Sequence, residues 1–119
     1  MEQSSGFLSV ATASPSLKVA DPGFNQAVIS ELARTAARQG VALLLLPELC
    51  LTAYTAGDLF FQQTLLDQAE AALQELARQS KDWGSLVLVA GLPLRHAQRL
   101  FNCACVIQAG QILAAVPKR

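Results

Sequence analysis

The chain has 119 residues, a hydrophobic fraction of 52%, and nine basic and nine acidic side chains that cancel at neutral pH. This length corresponds to one domain. Because the sequence has no extended cluster of lysines and arginines, we expect no nucleic-acid partner. The N-terminus lacks the basic region and apolar core of a signal peptide, and the apolar runs are shorter than the roughly 20 residues that span a bilayer, so we expect a cytoplasmic protein that does not associate with membranes.

The first half of the chain predicts a β-α-β unit. Residues 7–13 are small and apolar, as in a short strand. Asp21 and Pro22 then supply an N-cap and a first-turn proline for a helix whose apolar residues recur at helical spacing and which ends at Gly40. The six apolar residues 41–46 predict a strand buried on both faces. This order favours a right-handed parallel crossover.

The second half predicts another helix, another buried strand and a hairpin. After a loop or short helical segment, apolar residues from Leu66 to Ala77 recur at helical spacing. Residues 85–90 form the next strand candidate, and residues 99–107 pair with residues 111–116 through a two-residue turn. The predicted fold class is therefore α/β, a mixed sheet with flanking helices on at least one side.

Two charged residues follow apolar strands and are candidates for chemistry. Glu48 comes directly after the strand 41–46 and Pro47, at the carboxyl end where open α/β sheets bind ligands. An unpaired buried carboxylate costs several kcal/mol, so Glu48 needs a partner or a raised pKa. From the residues alone, a catalytic acid and a structural carboxylate that caps a backbone amide both remain open. Lys118 follows the strand 112–116, and its spacing alone indicates an ordinary surface lysine.

Several segments stand out in chain order: residues 43–55, Gly91-Leu92-Pro93-Leu94, Leu100-Phe101-Asn102-Cys103-Ala104, Gly110 and Val116-Pro117-Lys118. In this order they resemble the nitrilase or carbon–nitrogen hydrolase superfamily. Val116-Pro117-Lys118 and Gly57-Asp58-Leu59-Phe60 are most similar to the amidase domains of glutamine-dependent NAD+ synthetases. The resemblance implies an α-β-β-α sandwich, of which residues 1–119 would be the N-terminal part, with the nucleophile segment and the synthetase domain absent.

The same resemblance implies the roles of the site residues. Glu48 would be the general base, and the Lys118 ammonium would stabilise the oxyanion of a tetrahedral intermediate and keep the glutamate ionised. The pair would activate a cysteine thiol, which in this family lies downstream of the lysine and therefore beyond Arg119. Tyr54 would lie near the substrate pocket, although a tyrosine that packs over the loop fits its position equally well.

The three cysteines of the chain are expected to be free thiols, because their number is odd and no secretion signal precedes them. Cys50 is two residues from Glu48, yet it lacks the tight glycine-rich turn that surrounds the family's nucleophile. Cys103 and Cys105 alternate on one strand face, as packing residues do. Together with His96 they are too sparse for zinc, so we predict no metal site.

The implied activity of the whole protein is glutamine hydrolysis that supplies ammonia for ATP-dependent amidation of deamido-NAD+ to NAD+. ATP and Mg²⁺ are expected for a full-length homo-oligomeric synthetase but not for this chain, which has no phosphate-binding loop. Two alternatives remain: a fragment of another carbon–nitrogen hydrolase, such as an ω-amidase or carbamoylase, and a catalytically inactive interaction module. The 119 residues alone are expected to be inactive and to associate through an uncovered sheet face and hairpin edge.

Overall fold

The computed structural model describes residues 9–13, 15–18, 21–46, 63–96 and 99–117. Two long helices alternate with the first three strands, and two further strands follow. Neither described helix is long and apolar enough to cross a membrane. In chain order the elements are β1 (Val10–Thr12), α1 (Pro22–Arg38), β2 (Leu43–Leu45), α2 (Gln63–Gln79), a 3₁₀ turn (Ser80–Asp82), β3 (Val87–His96), β4 (Arg99–Gln108) and β5 (Gln111–Pro117).

The strands form one mixed sheet in the order β1-β2-β3-β4-β5. The first three are parallel to one another, while β4 is antiparallel to both β3 and β5. The predicted mixed α/β sheet is therefore confirmed. Because β4 is antiparallel to both β3 and β5, β5 runs in the same direction as β3 and therefore as β2.

The ends of α1 are determined by the residues that the sequence indicated. The Asp21 carboxylate accepts a hydrogen bond from the Phe24 backbone N–H at 3.0 Å, and Pro22 begins the helix. Beyond Arg38 the chain turns at Gly40, where φ is +79°. That left-handed conformation suits glycine because it has no Cβ.

Strand β3 is longer than predicted and forms a hairpin with β4 that the sequence analysis missed. The prediction ended this strand at Ala90, whereas it continues to His96 and includes Gly91 and Pro93. Pairing with β4 over this whole length maintains it. On the other side of β3, β2 pairs only as far as Val89, so in the described residues Pro93 lies where β3 has one partner, and a proline is tolerated there.

The β4–β5 hairpin is confirmed. Ala109 and Gly110 both have positive φ, 51° and 87°, as a tight turn between twisted strands requires. A register shift between Val106 and Ile107 inserts an irregularity into the β4–β5 ladder.

Both helices contribute to one hydrophobic core on a single face of the sheet. Paired residues of neighbouring strands share that face, and Leu88 with Ile107 and Ala90 with Cys105 are fully buried. The described elements leave the opposite face less covered, since Val10 and Val116 are 54% and 53% exposed. The residues that join the core from the helices include Ile29, Ala33, Ala36, Ala69, Leu73, Leu76 and Ala77.

Candidate functional site

The common direction of β2 and β5 decides which sheet edge the two candidate catalytic residues follow. Strand β2 leads towards Glu48 and β5 leads towards Lys118, and both leave the sheet at the edge formed by the carboxyl ends of the parallel strands. Ligands of open α/β sheets bind at this kind of edge. Glu48 and Lys118 themselves lie outside the described residues, so their proximity stays a prediction.

Hydrogen bonding holds β2 in register close to its end. The Leu46 backbone N–H donates to the Val89 carbonyl at 3.1 Å, and the Ala13 N–H donates to the Leu45 carbonyl at 3.2 Å. The backbone two residues before Glu48 is thus fixed from both sides. A loop that begins on such a scaffold can present its first side chains reproducibly.

The strand registers put the exits towards Glu48 and Lys118 at similar heights along the sheet. Leu45 pairs with Val89, Val89 with Val106, and Val106 with Ala114. Leu45 is therefore level with Ala114, three residues before β5 ends at Pro117. Three strand spacings separate β2 from β5, about 14 Å in all. Long side chains that lean towards each other along the edge are needed to close that gap.

The loop residues named from the sequence are not described. Tyr54 and Cys50 both lie outside the described residues, so the predicted pocket role of Tyr54 and the packing role of Cys50 stay predictions.

Two of the three cysteines are unsuited to nucleophilic attack. Cys105 is fully buried and Cys103 is 8% exposed, and both belong to the core beneath the helices. Burial also raises the pKa of the Cys103 thiol, which disfavours the reactive thiolate. Neither Cys103 nor Cys105 forms a disulfide among the described residues.

A buried serine that the sequence analysis did not single out fixes the turn of the β4–β5 hairpin. The Ser80 hydroxyl donates to the Ala77 carbonyl at 2.6 Å and accepts from the Gly110 N–H at 2.7 Å. The turn also lies against Lys81, since a Cβ at Gly110 would lie 2.7 Å from the Lys81 Cγ. These contacts set the position of β5, and β5 leads to Lys118.

Among the described residues, no three histidine, cysteine, aspartate or glutamate side chains lie close enough together to bind a metal ion.

Sequence comparison gives a match to the carbon–nitrogen hydrolase family over residues 8–119. The glutamine-dependent NAD(+) synthetase of Mycobacterium tuberculosis is 42% identical over 113 residues, which are 95% of this chain and 16% of that protein. The synthetase of Mycobacterium leprae is 36% identical over 115 residues, 97% of this chain and 17% of that protein. The chain therefore spans about a sixth of the length of these curated relatives.

Solved structures resemble the fold closely. A glutamine-dependent NAD(+) synthetase from Cytophaga hutchinsonii superimposes with a TM-score of 0.86 at 27% identity, over 94% of this chain and 19% of that one. An amidase from Nesterenkonia sp. AN1 gives a TM-score of 0.76 at 28% identity, over 94% of this chain and 44% of that one. That structure is of a mutant of the amidase and shows the result of Michael addition of acrylamide at its active-site cysteine.

Proposed function

We propose a function from one premise: the chain belongs to the carbon–nitrogen hydrolase family. It is homologous to the carbon–nitrogen hydrolase domain of glutamine-dependent NAD(+) synthetases. The proposed activity of the whole protein is hydrolysis of the glutamine carboxamide, which releases ammonia for ATP-dependent amidation of deamido-NAD+. The observation that most supports this proposal is the common direction of β2 and β5, which lead towards Glu48 and Lys118 at one sheet edge.

In the proposed mechanism, Glu48 accepts the proton of a cysteine thiol. The thiolate attacks the carboxamide carbon, and the carbonyl oxygen becomes an oxyanion that the Lys118 ammonium stabilises. The C–N bond then breaks, and ammonia leaves with the proton that Glu48 returns. Glu48 next accepts a proton from water, whose oxygen attacks the thioester, and glutamate and the free thiol are formed. Tyr54 would line the pocket that holds the amide.

The nucleophile of this mechanism is proposed to lie beyond Arg119. Cys103 and Cys105 are buried between the helices and the sheet, and although Cys103 pairs with Pro117 at the end of β5, it is only 8% exposed and belongs to the core. The active-site cysteine of the Nesterenkonia amidase is consistent with thiol chemistry on this fold. ATP and Mg²⁺ would be bound by the remainder of a full-length, homo-oligomeric synthetase.

A second candidate function is hydrolysis of a different small amide. It is favoured by the Nesterenkonia amidase, of which mutant structures have been solved with acrylamide and with butyramide. Those structures match this chain at TM-scores of 0.79 and 0.75. The same edge and the same two charged residues would serve both substrates, so the two candidates differ only in the residues that contact the substrate beyond its amide.

A chimera tests the proposal. The aligned segment of the Mycobacterium tuberculosis synthetase is replaced by this chain, and ammonia release from glutamine and from butyramide is measured. We expect glutamine turnover, and loss by a factor of about 10² to 10³ in Glu48→Gln and Lys118→Met variants, because each removes a proton acceptor or an oxyanion partner. Glu70→Gln, on the exposed face of α2, is the matched control.

Formation of NAD+ from added ammonia checks that the rest of the chimera is folded. The proposal is wrong if that reaction proceeds while the chimera fails to hydrolyse glutamine, or if the Glu48 and Lys118 variants keep full glutamine turnover. Hydrolysis of butyramide without glutamine would favour the second candidate.

A further inference from the structure

The sheet edge opposite to the proposed catalytic edge contains a cleft of about 780 Å³, a size within the range of binding pockets. It lies where α1 ends and where β2 and β3 begin. Ala37 and Val41 are only half-buried there, so both can still bury apolar surface against an occupant. The lining residues used below are Ala37, Arg38, Val41, Ala42, Leu43 and Asp82.

The chain enters β1 beside this cleft. The Ser9 carbonyl accepts hydrogen bonds from the Ala42 N–H at 2.7 Å and from the Leu43 N–H at 3.1 Å, and both of these residues line the cleft. Residues 1–8 are outside the described part of the chain, but they are joined to this anchored position. At about 3.3 Å per residue, residues 2–8 can extend about 23 Å from Ser9, which is ample to cross a cleft of this volume.

The segment that precedes Ser9 carries apolar side chains that suit the lining. Phe7 and Leu8 come directly before Ser9, and Phe7 can bury a large apolar area. The match to the carbon–nitrogen hydrolase family begins at residue 8, so most of this segment lies outside the region that the family shares. A role for the segment therefore has to be sought in this chain itself.

The charges at the cleft favour an acidic group beside α1. Arg38 is exposed in the last turn of α1 and forms no ion pair with any described residue. Glu2 is the only charged side chain among residues 1–8. Asp82 also lines the cleft, but it belongs to the turn before β3, whereas β1 lies beside β2, which follows α1. The unpaired cation is thus on the side from which the segment comes.

We propose that residues 2–8 of the same chain occupy this cleft. The Phe7 ring packs on Ala37 and Val41, and the Glu2 carboxylate accepts hydrogen bonds from the Arg38 guanidinium. The segment thereby joins the start of β1 to the end of α1. This docking is independent of the proposed amidase chemistry, which takes place at the other edge of the sheet.

Nuclear Overhauser spectra of the full chain test the contact directly. We expect cross-peaks between the Phe7 ring protons and the methyl groups of Ala37 and Val41. An isotope-filtered spectrum of mixed labelled and unlabelled chains separates contacts within one chain from contacts between copies. Cross-peaks that occur only between copies would show that a second copy fills the cleft and would overturn the proposal, as would the absence of these cross-peaks.

Phe7→Ala should lower the midpoint of urea unfolding by about 1 M, because the packing of an aromatic ring is lost. Leu113→Ala is the matched control, since Leu113 is 53% exposed on β5, and its midpoint should change by less than about 0.3 M.

Glu2 should titrate at a higher pH in Arg38→Gln than in wild type, because a nearby guanidinium favours the carboxylate. Arg78→Gln should leave that titration unchanged, because Arg78 is bound to Glu75 and does not line the cleft. A Phe7→Ala midpoint equal to that of wild type, or a Glu2 titration that is the same in Arg38→Gln, would also overturn the proposal.

Discussion

Replacement of Ser80 by alanine should destabilise the chain by about 2 kcal/mol. The Ser80 side chain is fully buried, and its hydroxyl makes two short hydrogen bonds, to the Ala77 carbonyl at 2.6 Å and from the Gly110 N–H at 2.7 Å. Each such bond contributes about 1 kcal/mol net, and a donor left buried without a partner costs about 1–3 kcal/mol. In Ser80→Ala both the Ala77 carbonyl, in the last turn of α2, and the Gly110 N–H lose the hydroxyl as a partner.

Urea unfolding followed by circular dichroism and by Trp83 fluorescence measures this change. With a slope of about 2 kcal/mol per molar urea, the midpoint should fall by about 1 M. Ser85→Ala is the matched control, because Ser85 is exposed and its hydroxyl has no hydrogen-bond partner among the described residues. This change should alter stability by less than about 0.5 kcal/mol. Amide exchange at Gly110 should accelerate in Ser80→Ala. A Ser80→Ala midpoint equal to that of wild type, with Gly110 still protected, would refute the argument that this hydroxyl anchors the hairpin.

Three further outcomes follow from burial, charge and exposure. Cys103 and Cys105 should react with a thiol reagent only after denaturation, and rapid labelling of either in the native chain would contradict their burial. Hydrogen bonds from Arg78 lower the pKa of Glu75 to about 2, so the pair stabilises the fold above the ordinary value of 4.5 and loses that contribution as the pH falls towards 2. Glu75→Gln should therefore flatten the acid side of the stability profile slightly, and an unchanged profile would exclude the pair as a contributor. The wild-type chain should associate and bind a hydrophobic dye through the less covered sheet face. Val116→Lys should reduce association, measured by light scattering, and dye binding, measured by fluorescence. A wild-type chain that is monomeric and binds no dye would be inconsistent with an uncovered apolar face.

Local signals in the sequence were sufficient for the helices and for the last hairpin. The Asp21 cap acts on a backbone N–H three residues away, and Ala109 and Gly110 form their turn between adjacent strands, so neither depends on distant parts of the chain. Strand β3 shows the limit of such signals. Gly91 and Pro93 normally end strands, but pairing with β4 outweighs that local preference.

Contacts between distant residues had no local signal. Ser80 and Gly110 are 30 positions apart, and only the packing of the hairpin turn on the end of α2 brings them together. The indole N–H of Trp83 is buried without a partner among the described residues, and no local pattern in the sequence indicated this. The sequence did predict that a strand leads to Glu48 and another to Lys118, because an apolar segment precedes each residue.

The central claim, that Glu48 and Lys118 act together at one sheet edge, is tested most directly by the titration of Lys118. The chain has only three lysines, Lys18, Lys81 and Lys118, so their side-chain resonances are readily assigned. A nearby carboxylate stabilises the ammonium, so the account predicts a lower pKa for Lys118 in Glu48→Gln than in wild type, with Glu70→Gln as the unchanged control. If Lys118 titrates identically in wild type and Glu48→Gln, the two groups do not interact and the account is contradicted.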